Sequence, residues 1–191
     1  MKKIILAVAL ALTLGLSGAA LASDGPLSYN YVQGTVVHNG EGTPANGVNG
    51  VASFDLADGF FAQGDATYLT DHSVHGERYQ AGLGYHFNLS NTVSAYGLVS
   101  AVAVDSNLPQ AATKYGYDGE AGLRFAITPQ LELAGAVEDQ TLNLADGVRN
   151  HEQTFGKVSA AYFLSKDFAL VADYRASAVQ HEVGAGVRWT W

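Results

Sequence analysis

Along most of the chain, apolar and polar residues alternate one by one. In the stretch 78–89, Tyr79, Ala81, Leu83, Tyr85, Phe87 and Leu89 share one face, while Arg78, Gln80, Gly82, Gly84, His86 and Asn88 share the other. The stretch 117–127 sets Tyr117, Gly119, Ala121, Leu123, Phe125 and Ile127 against Asp118, Glu120, Gly122, Arg124 and Ala126. The last stretch opposes Val183, Ala185, Val187, Trp189 and Trp191 to Glu182, Gly184, Gly186, Arg188 and Thr190. A period of two with one apolar face is the pattern of half-buried β-strands.

The strand ends repeat as well. An aromatic stands two residues before an apolar one at Phe54-Asp55-Leu56, Phe87-Asn88-Leu89, Phe125-Ala126-Ile127, Tyr162-Phe163-Leu164 and Trp189-Thr190-Trp191. In the first four, three turn-type residues follow before the next apolar position (Phe60, Val93, Leu131, Phe168). Strand end, tight turn and strand start thus recur as an array of hairpins. The array predicts ten strands near 27–38, 47–56, 60–70, 77–89, 93–104, 115–127, 131–141, 152–164, 168–178 and 181–191. An even count returns the last strand beside the first, so the expected fold is all-β, a closed antiparallel up-and-down transmembrane barrel. Eight strands is the alternative, because the first strand is irregular: Leu27, Tyr29 and Tyr31 alternate well, but Gln33 and Thr35 then fall where lipid-facing residues are expected, which a bulge or a short strand would explain.

A water-soluble sandwich would alternate in the same way, and three features argue for a barrel in a membrane. Aromatics gather at strand ends on the apolar face, with Phe54, Phe87, Phe125, Tyr162 and Trp189 at one end and Tyr68, Tyr79, Tyr117 and Tyr174 nearer the other. Glycine, 22 residues in all, is frequent on the opposite face, where a crowded lumen limits side-chain size. The turns are short on one side, whereas 39–46, 105–114 and 142–151 are longer and polar, the arrangement of periplasmic turns and external loops.

Residues 1–22 read as a cleaved secretory signal peptide: Lys2 and Lys3, an apolar run from Ile4 to Leu16, and Ala20-Leu21-Ala22 as the cleavage site. A single barrel domain, 23–191, is then expected. Losing those two of the 10 Lys+Arg leaves 8 against 18 Asp+Glu, a net charge of −10, which argues against nucleic acid and against docking on an anionic membrane surface. There is no cysteine, hence no disulfide and no thiolate metal site. No later stretch approaches 18 consecutive apolar residues, so crossing by a helix is not expected.

The short turns imply register, and register implies what lines the lumen. Positions on the sixth and seventh strands should pair so that their numbers sum to 258, and on the eighth and ninth to 332. Glu120, Glu138, Lys157 and Arg175 then fall on four consecutive strands facing inward, with Glu138 and Lys157 as the central attractive pair. Arg124 lies diagonal to Glu132, and Asp173 to Lys157 and Arg175; Arg188 is also inward. Tyr96, Leu98 and Phe163 point inward by parity and would obstruct the bore. The row is either a selectivity lining or a salt-bridged filling, and the second is favoured because barrels of about eight strands are filled by their own side chains.

Catalytic or cofactor chemistry is not evident. His72 and His75 with Asp71, His151 with Asp146, and His181 with Glu182 are loop groupings that lack a third fixed donor, so no metal and no cofactor is expected. No serine stands in a nucleophile motif, and Gly82-Leu83-Gly84-Tyr85 lies inside a strand rather than before a helix. Asn88-Leu89-Ser90 matches a glycosylation triplet by chance.

Taken together, Leu27-Ser28-Tyr29-Asn30-Tyr31-Val32, Asn49-Gly50-Val51-Ala52-Ser53-Phe54 with the Asp58-Gly59-Phe60 turn, and the closing Val187-Arg188-Trp189-Thr190-Trp191 resemble the small outer-membrane barrels grouped with the OmpA-like transmembrane domain. Within these the chain is most similar to the activator-of-immunity barrel proteins. The resemblance implies a bacterial outer-membrane location, contact with outer-membrane lipids, and a terminal strand whose Trp189 and Trp191 are read by the barrel-assembly machinery. The expected role is non-enzymatic: an envelope structural or surface-interaction protein with an occluded lumen and a possible extracellular partner at its loops. The alternatives are a narrow solute channel and, behind it, a barrel enzyme.

Overall fold

The computed structural model describes residues 27–40, 45–71, 74–107, 113–143 and 151–191. The signal peptide read at 1–22, the start of the domain at 23–26, His72, Asp146 and the middle of each long polar loop lie outside the described residues.

Ten strands form: β1 (Tyr31–Asn39), β2 (Ala45–Ala57), β3 (Phe60–Asp71), β4 (Val74–Ser90), β5 (Val93–Ser106), β6 (Lys114–Thr128), β7 (Leu131–Asn143), β8 (His151–Phe163), β9 (Phe168–Ala176) and β10 (His181–Thr190). Each pairs antiparallel with its sequence neighbours, and β1 pairs with β10 from Tyr31↔Thr190 to Asn39↔Glu182, which closes the barrel. A closed ladder leaves no edge strand with unpaired backbone groups.

The repeated aromatic-x-apolar motif has a structural cause. The β2–β3, β4–β5 and β6–β7 hairpins each carry a bulge just before a two-residue turn, and the extra residue is the motif's apolar member: Leu56, Leu89 or Ile127. The bulge leaves one residue unpaired and bends the strand, so all three apolar side chains stay on the exposed exterior. In the first hairpin Asp58 and Gly59 both have positive φ, 53° and 84°, the mirror-image turn whose twist matches that of the strands. In the third, Thr128 Oγ1 accepts from the amides of Gln130 and Leu131 at 3.2 and 3.0 Å. Short turns transmit register: across the β6–β7 turn Glu120 pairs with Glu138, and across the β8–β9 turn Lys157 pairs with Arg175, the sums of 258 and 332 expected from the sequence.

Parity then sorts the side chains. Leu83, Val99, Tyr117, Leu123, Val137, Val158, Tyr174 and Val187 point out and are exposed, while Asp118, Glu120, Arg124, Glu138 and Arg188 point in and are buried. The first strand differs from the sequence reading: it starts at Tyr31 rather than at 27, and its inward face is the odd one. Gln33, Thr35 and Val37 are buried in the lumen while Val36 is exposed, so Gln33 and Thr35 need no bulge to account for them.

With the outward face set in a bilayer, Leu123→Arg is expected to cost about 2–4 kcal/mol, read as the folding free energy of the refolded protein in lipid vesicles. A loss near zero would mean that Leu123 does not face lipid.

Candidate functional site

The lumen is crossed by a stack of polar contacts, best followed from the long-loop end toward the short-turn end. At mid-barrel, β6, β7, β8 and β9 bring together Glu120, Glu138, Lys157 and Arg175. Arg175 grips Glu138 with both arms of its fork, Nη2 to Oε1 at 2.6 Å and Nε to Oε2 at 3.2 Å. Lys157 Nζ reaches Glu120 Oε2 at 2.7 Å and Glu138 Oε2 at 3.5 Å. The four candidates are one cluster, but its pairing differs from the expected Glu138–Lys157 centre. In the β7–β8 ladder Glu138 stands opposite Phe155, and Lys157 opposite Ala136. That two-residue offset hands Glu138 to Arg175 and turns Lys157 chiefly to Glu120. Like charges do face each other in register, Glu120 with Glu138 and Lys157 with Arg175, and diagonal reach resolves both conflicts.

The rest of this layer was not legible in the sequence. Gln80 donates to the fully buried Asp118, Arg78 pairs with Asp65 at 3.5 Å, and Asn49 Nδ2 donates to Asp65 Oδ2 at 2.7 Å. Asp173, expected to lie diagonal to Lys157 and Arg175, accepts from Gln33 Nε2 at 2.9 Å across the space between β9 and β1. The available signal was the polar odd face of the first strand, which puts Gln33 inside.

Toward the short turns, Glu132 collects two arginines. Arg124 binds it in a bidentate fork at 3.0 and 2.9 Å, as its diagonal position implied. Arg188 Nη1 reaches the same carboxylate at 3.3 Å while its Nε donates to Gln33 Oε1 at 2.9 Å. Both guanidiniums also cover aromatic rings: Arg124 lies 4.5 Å from the Tyr29 centroid and Arg188 4.5 Å from that of Tyr31, within cation–π range. Charge-assisted forks are short and geometrically selective, which suits arginine to a site where a buried carboxylate has little water to turn to.

The short-turn mouth is filled by aromatics. Phe61, Leu98 and Tyr29 pack together with Tyr96 against them. Gly84 and Gly122 make room for this layer: a Cβ on Gly84 would collide with the Phe61 ring, and one on Gly122 would come within 2.7 Å of the Tyr96 ring. Tyr29 belongs to no strand. It enters from the segment before β1, which the sequence reading took as strand.

Two spaces remain. An inner cavity of about 150 Å³ lies among Gln33, Gln63, Gln80, Tyr96, Ser159 and Asp173, and an outer one of about 280 Å³ among Lys114, Gln140, Leu142, Gln153, Val104 and Leu69. Arg78, Arg175 and Glu182 line both and form the partition between them. Among the described residues no group of three or more His, Asp or Glu side chains is placed to hold a metal ion. Trp189 and Trp191 stand outside the lumen, 5.2 Å apart at the end of β10, with Phe54 5.7 Å from Trp191.

Removing Glu138 strands a buried guanidinium, so Glu138→Ala is expected to cost about 3–5 kcal/mol of folding free energy in vesicles. Glu120→Ala should cost less, because the Lys157 side chain is 35% exposed and keeps Glu138 within 3.5 Å. Equal losses, or the reverse order, would contradict the assignment of Arg175 as the tight partner.

No family model and no curated protein sequence matches the chain. Among solved structures it is similar to the NanC porin, with a TM-score of 0.58 and 7% identity over 84% of this chain and 100% of that one. It is similar to an outer membrane channel from Pseudomonas putida F1 (TM-score 0.54, 10% identity, 91% of this chain and 100% of that one). It is also similar to the β domain of the Bordetella autotransporter BrkA (TM-score 0.51, 10% identity, 84% and 98%). At such identities the likeness is one of fold: a closed antiparallel β-barrel.

Proposed function

We propose that the chain is an integral barrel of the bacterial outer membrane whose lumen is closed by its own side chains, and that it serves the envelope as a structural or surface-interaction protein rather than as an enzyme. The observation that carries this reading is the set of contacts that skip strands: Arg188 of β10 to Glu132 of β7, Arg175 of β9 to Glu138 of β7, and Lys157 of β8 to Glu120 of β6. Such contacts bridge the bore instead of lining it. The membrane location draws support from the apolar exterior with aromatics near both ends, and from the barrel fold shared with an outer membrane channel and an autotransporter β domain. The finer kinship with OmpA-like and activator-of-immunity barrels, and the reading of the terminal strand by the assembly machinery, belong to the same proposal.

A narrow solute channel is the second reading. The two cavities stacked along the axis favour it, as does the fold shared with the NanC porin and an outer membrane channel. Glu120, Glu138, Lys157, Arg175, Arg124 and Arg188 would then be its lining.

Planar-bilayer recordings of the refolded protein separate the two. Silence in the wild type, with openings only in Glu138→Ala or Lys157→Ala, is the expected result; stable wild-type openings that change size or selectivity in those variants would make the protein a channel. Deleting Trp191 should leave the chain exported but poorly inserted, and normal outer-membrane levels of that truncation would sink the assembly-signal reading.

A further inference from the structure

We infer that Ser28, Tyr29 and Asn30 are a removable stopper in the short-turn mouth of the barrel, and that withdrawing Tyr29 opens the inner cavity to the periplasm. The inference rests on the occluded-lumen reading and adds where that occlusion can be released.

The three residues are only 2%, 4% and 5% exposed, although they precede β1 and take no part in its ladder. Their withdrawal therefore breaks none of the strand pairing that closes the barrel. Asn30 is the anchor: its Oδ1 accepts from the Asp55 amide at 2.8 Å and its carbonyl from the Trp191 amide at 3.3 Å, which ties it to the ends of β2 and β10. Tyr29 is the bung. Its ring lies flat on His86, with centroids 4.0 Å apart and planes 7° from parallel, and tilted against Phe61 at 4.8 Å. Its hydroxyl meets Ser94 Oγ at 3.3 Å, and Tyr29 and Phe61 both line the inner cavity, forming its floor.

The socket is built from strand residues that are fixed without Tyr29. His86 holds Asp55 at 3.3 Å, Arg124 holds Glu132 in its bidentate fork, and Phe61 sits in the space left by Gly84. The contacts on Tyr29 and Ser28 include no bidentate pair: a long hydroxyl–hydroxyl bond, stacked and tilted rings, the Arg124 guanidinium 4.5 Å from the Tyr29 centroid, and its Nη1 donating to the Ser28 carbonyl at 3.0 Å. A preformed socket whose occupant lies outside the strand ladder, tied at Asn30 to the ends of β2 and β10 and at Ser28 to one guanidinium, is the geometry of a releasable closure. The partition at Arg78 and Arg175 is different, because bidentate pairing builds it into the strands.

The chain has no cysteine, so a single reporter can be placed on either side of the partition. Ser159→Cys, nearly isosteric, lines the inner cavity, and Gln153→Cys lines the outer one. Each is combined with Tyr29→Gly and with Tyr29→Phe, refolded in detergent micelles, checked for heat-modifiable mobility, and labelled with a charged methanethiosulfonate reagent. Tyr29→Gly should speed labelling of Ser159→Cys by about tenfold or more, one decade in the open population. It should leave Gln153→Cys unchanged, and Tyr29→Phe should keep Ser159→Cys slow. Unchanged labelling of Ser159→Cys overturns the stopper, and so does faster labelling at both positions, which would mean a loosened barrel. Deleting Leu27–Tyr29 gives the same readout should Tyr29→Gly fail to fold. Labelling does not require conduction, so a conducting wild type would sink the occluded reading without deciding this test.

Discussion

Everything in this molecule depends on the pairing of β1 with β10. Once those two strands meet, each strand has two neighbours and the sheet has an inside and an outside with no edge between them. Side chains must then alternate between two unlike environments, and the apolar row has to be the outer one, because the inner surface is occupied by charged groups such as Asp118, Glu120, Arg124, Glu132, Glu138, Arg175 and Arg188. This is the reverse of a soluble sandwich, and it explains why the largest exposed side chains are Leu, Val, Phe, Tyr and Trp while the buried ones include Asp, Glu and Arg.

Ten strands leave too little room for those charges to keep full hydration. A buried charge without a partner is costly, so the lumen organises itself around forks: Arg124 with Glu132 at one level, Arg175 with Glu138 at another. Amide side chains fill the gaps, Gln33 joining Arg188 to Asp173 and Gln80 serving Asp118. Polar contacts in the lumen draw a side chain from every one of the ten strands. The weakest level of the lumen is the aromatic one at the short turns, where an element outside the ladder supplies the last ring.

How far the sequence reveals this follows from how far local geometry reaches. The tight hairpins were legible because short turns leave a fixed imprint, the aromatic-x-apolar motif, whether with a bulge as between β6 and β7 or without one as between β8 and β9, and with it two of the ladders could be counted to the residue. The β7–β8 ladder could not, since a long loop joins those strands and its length does not set register; the two-residue offset there changed which base holds Glu138. Contacts that skip strands, such as Gln33 with Asp173, depend on the shear of the whole barrel and have no local signature. Tyr29 was misplaced for a subtler reason. Its alternation with Tyr31 looks like an outward row, and only the polar Gln33 and Thr35 that follow reveal that this parity is the inward one.

The central claim is that opposed charges bind the lumen shut, and a double-mutant cycle tests it most directly. Folding free energies in lipid vesicles would be measured for the wild type, Glu138→Ala, Arg175→Ala and the double variant. A favourable coupling of about 1–3 kcal/mol, with the double variant losing clearly less than the sum of the two single losses, is the expected result for a bidentate buried pair. Additivity within about 0.5 kcal/mol would mean that the two groups do not depend on each other, and the account of a charge-closed barrel would be wrong.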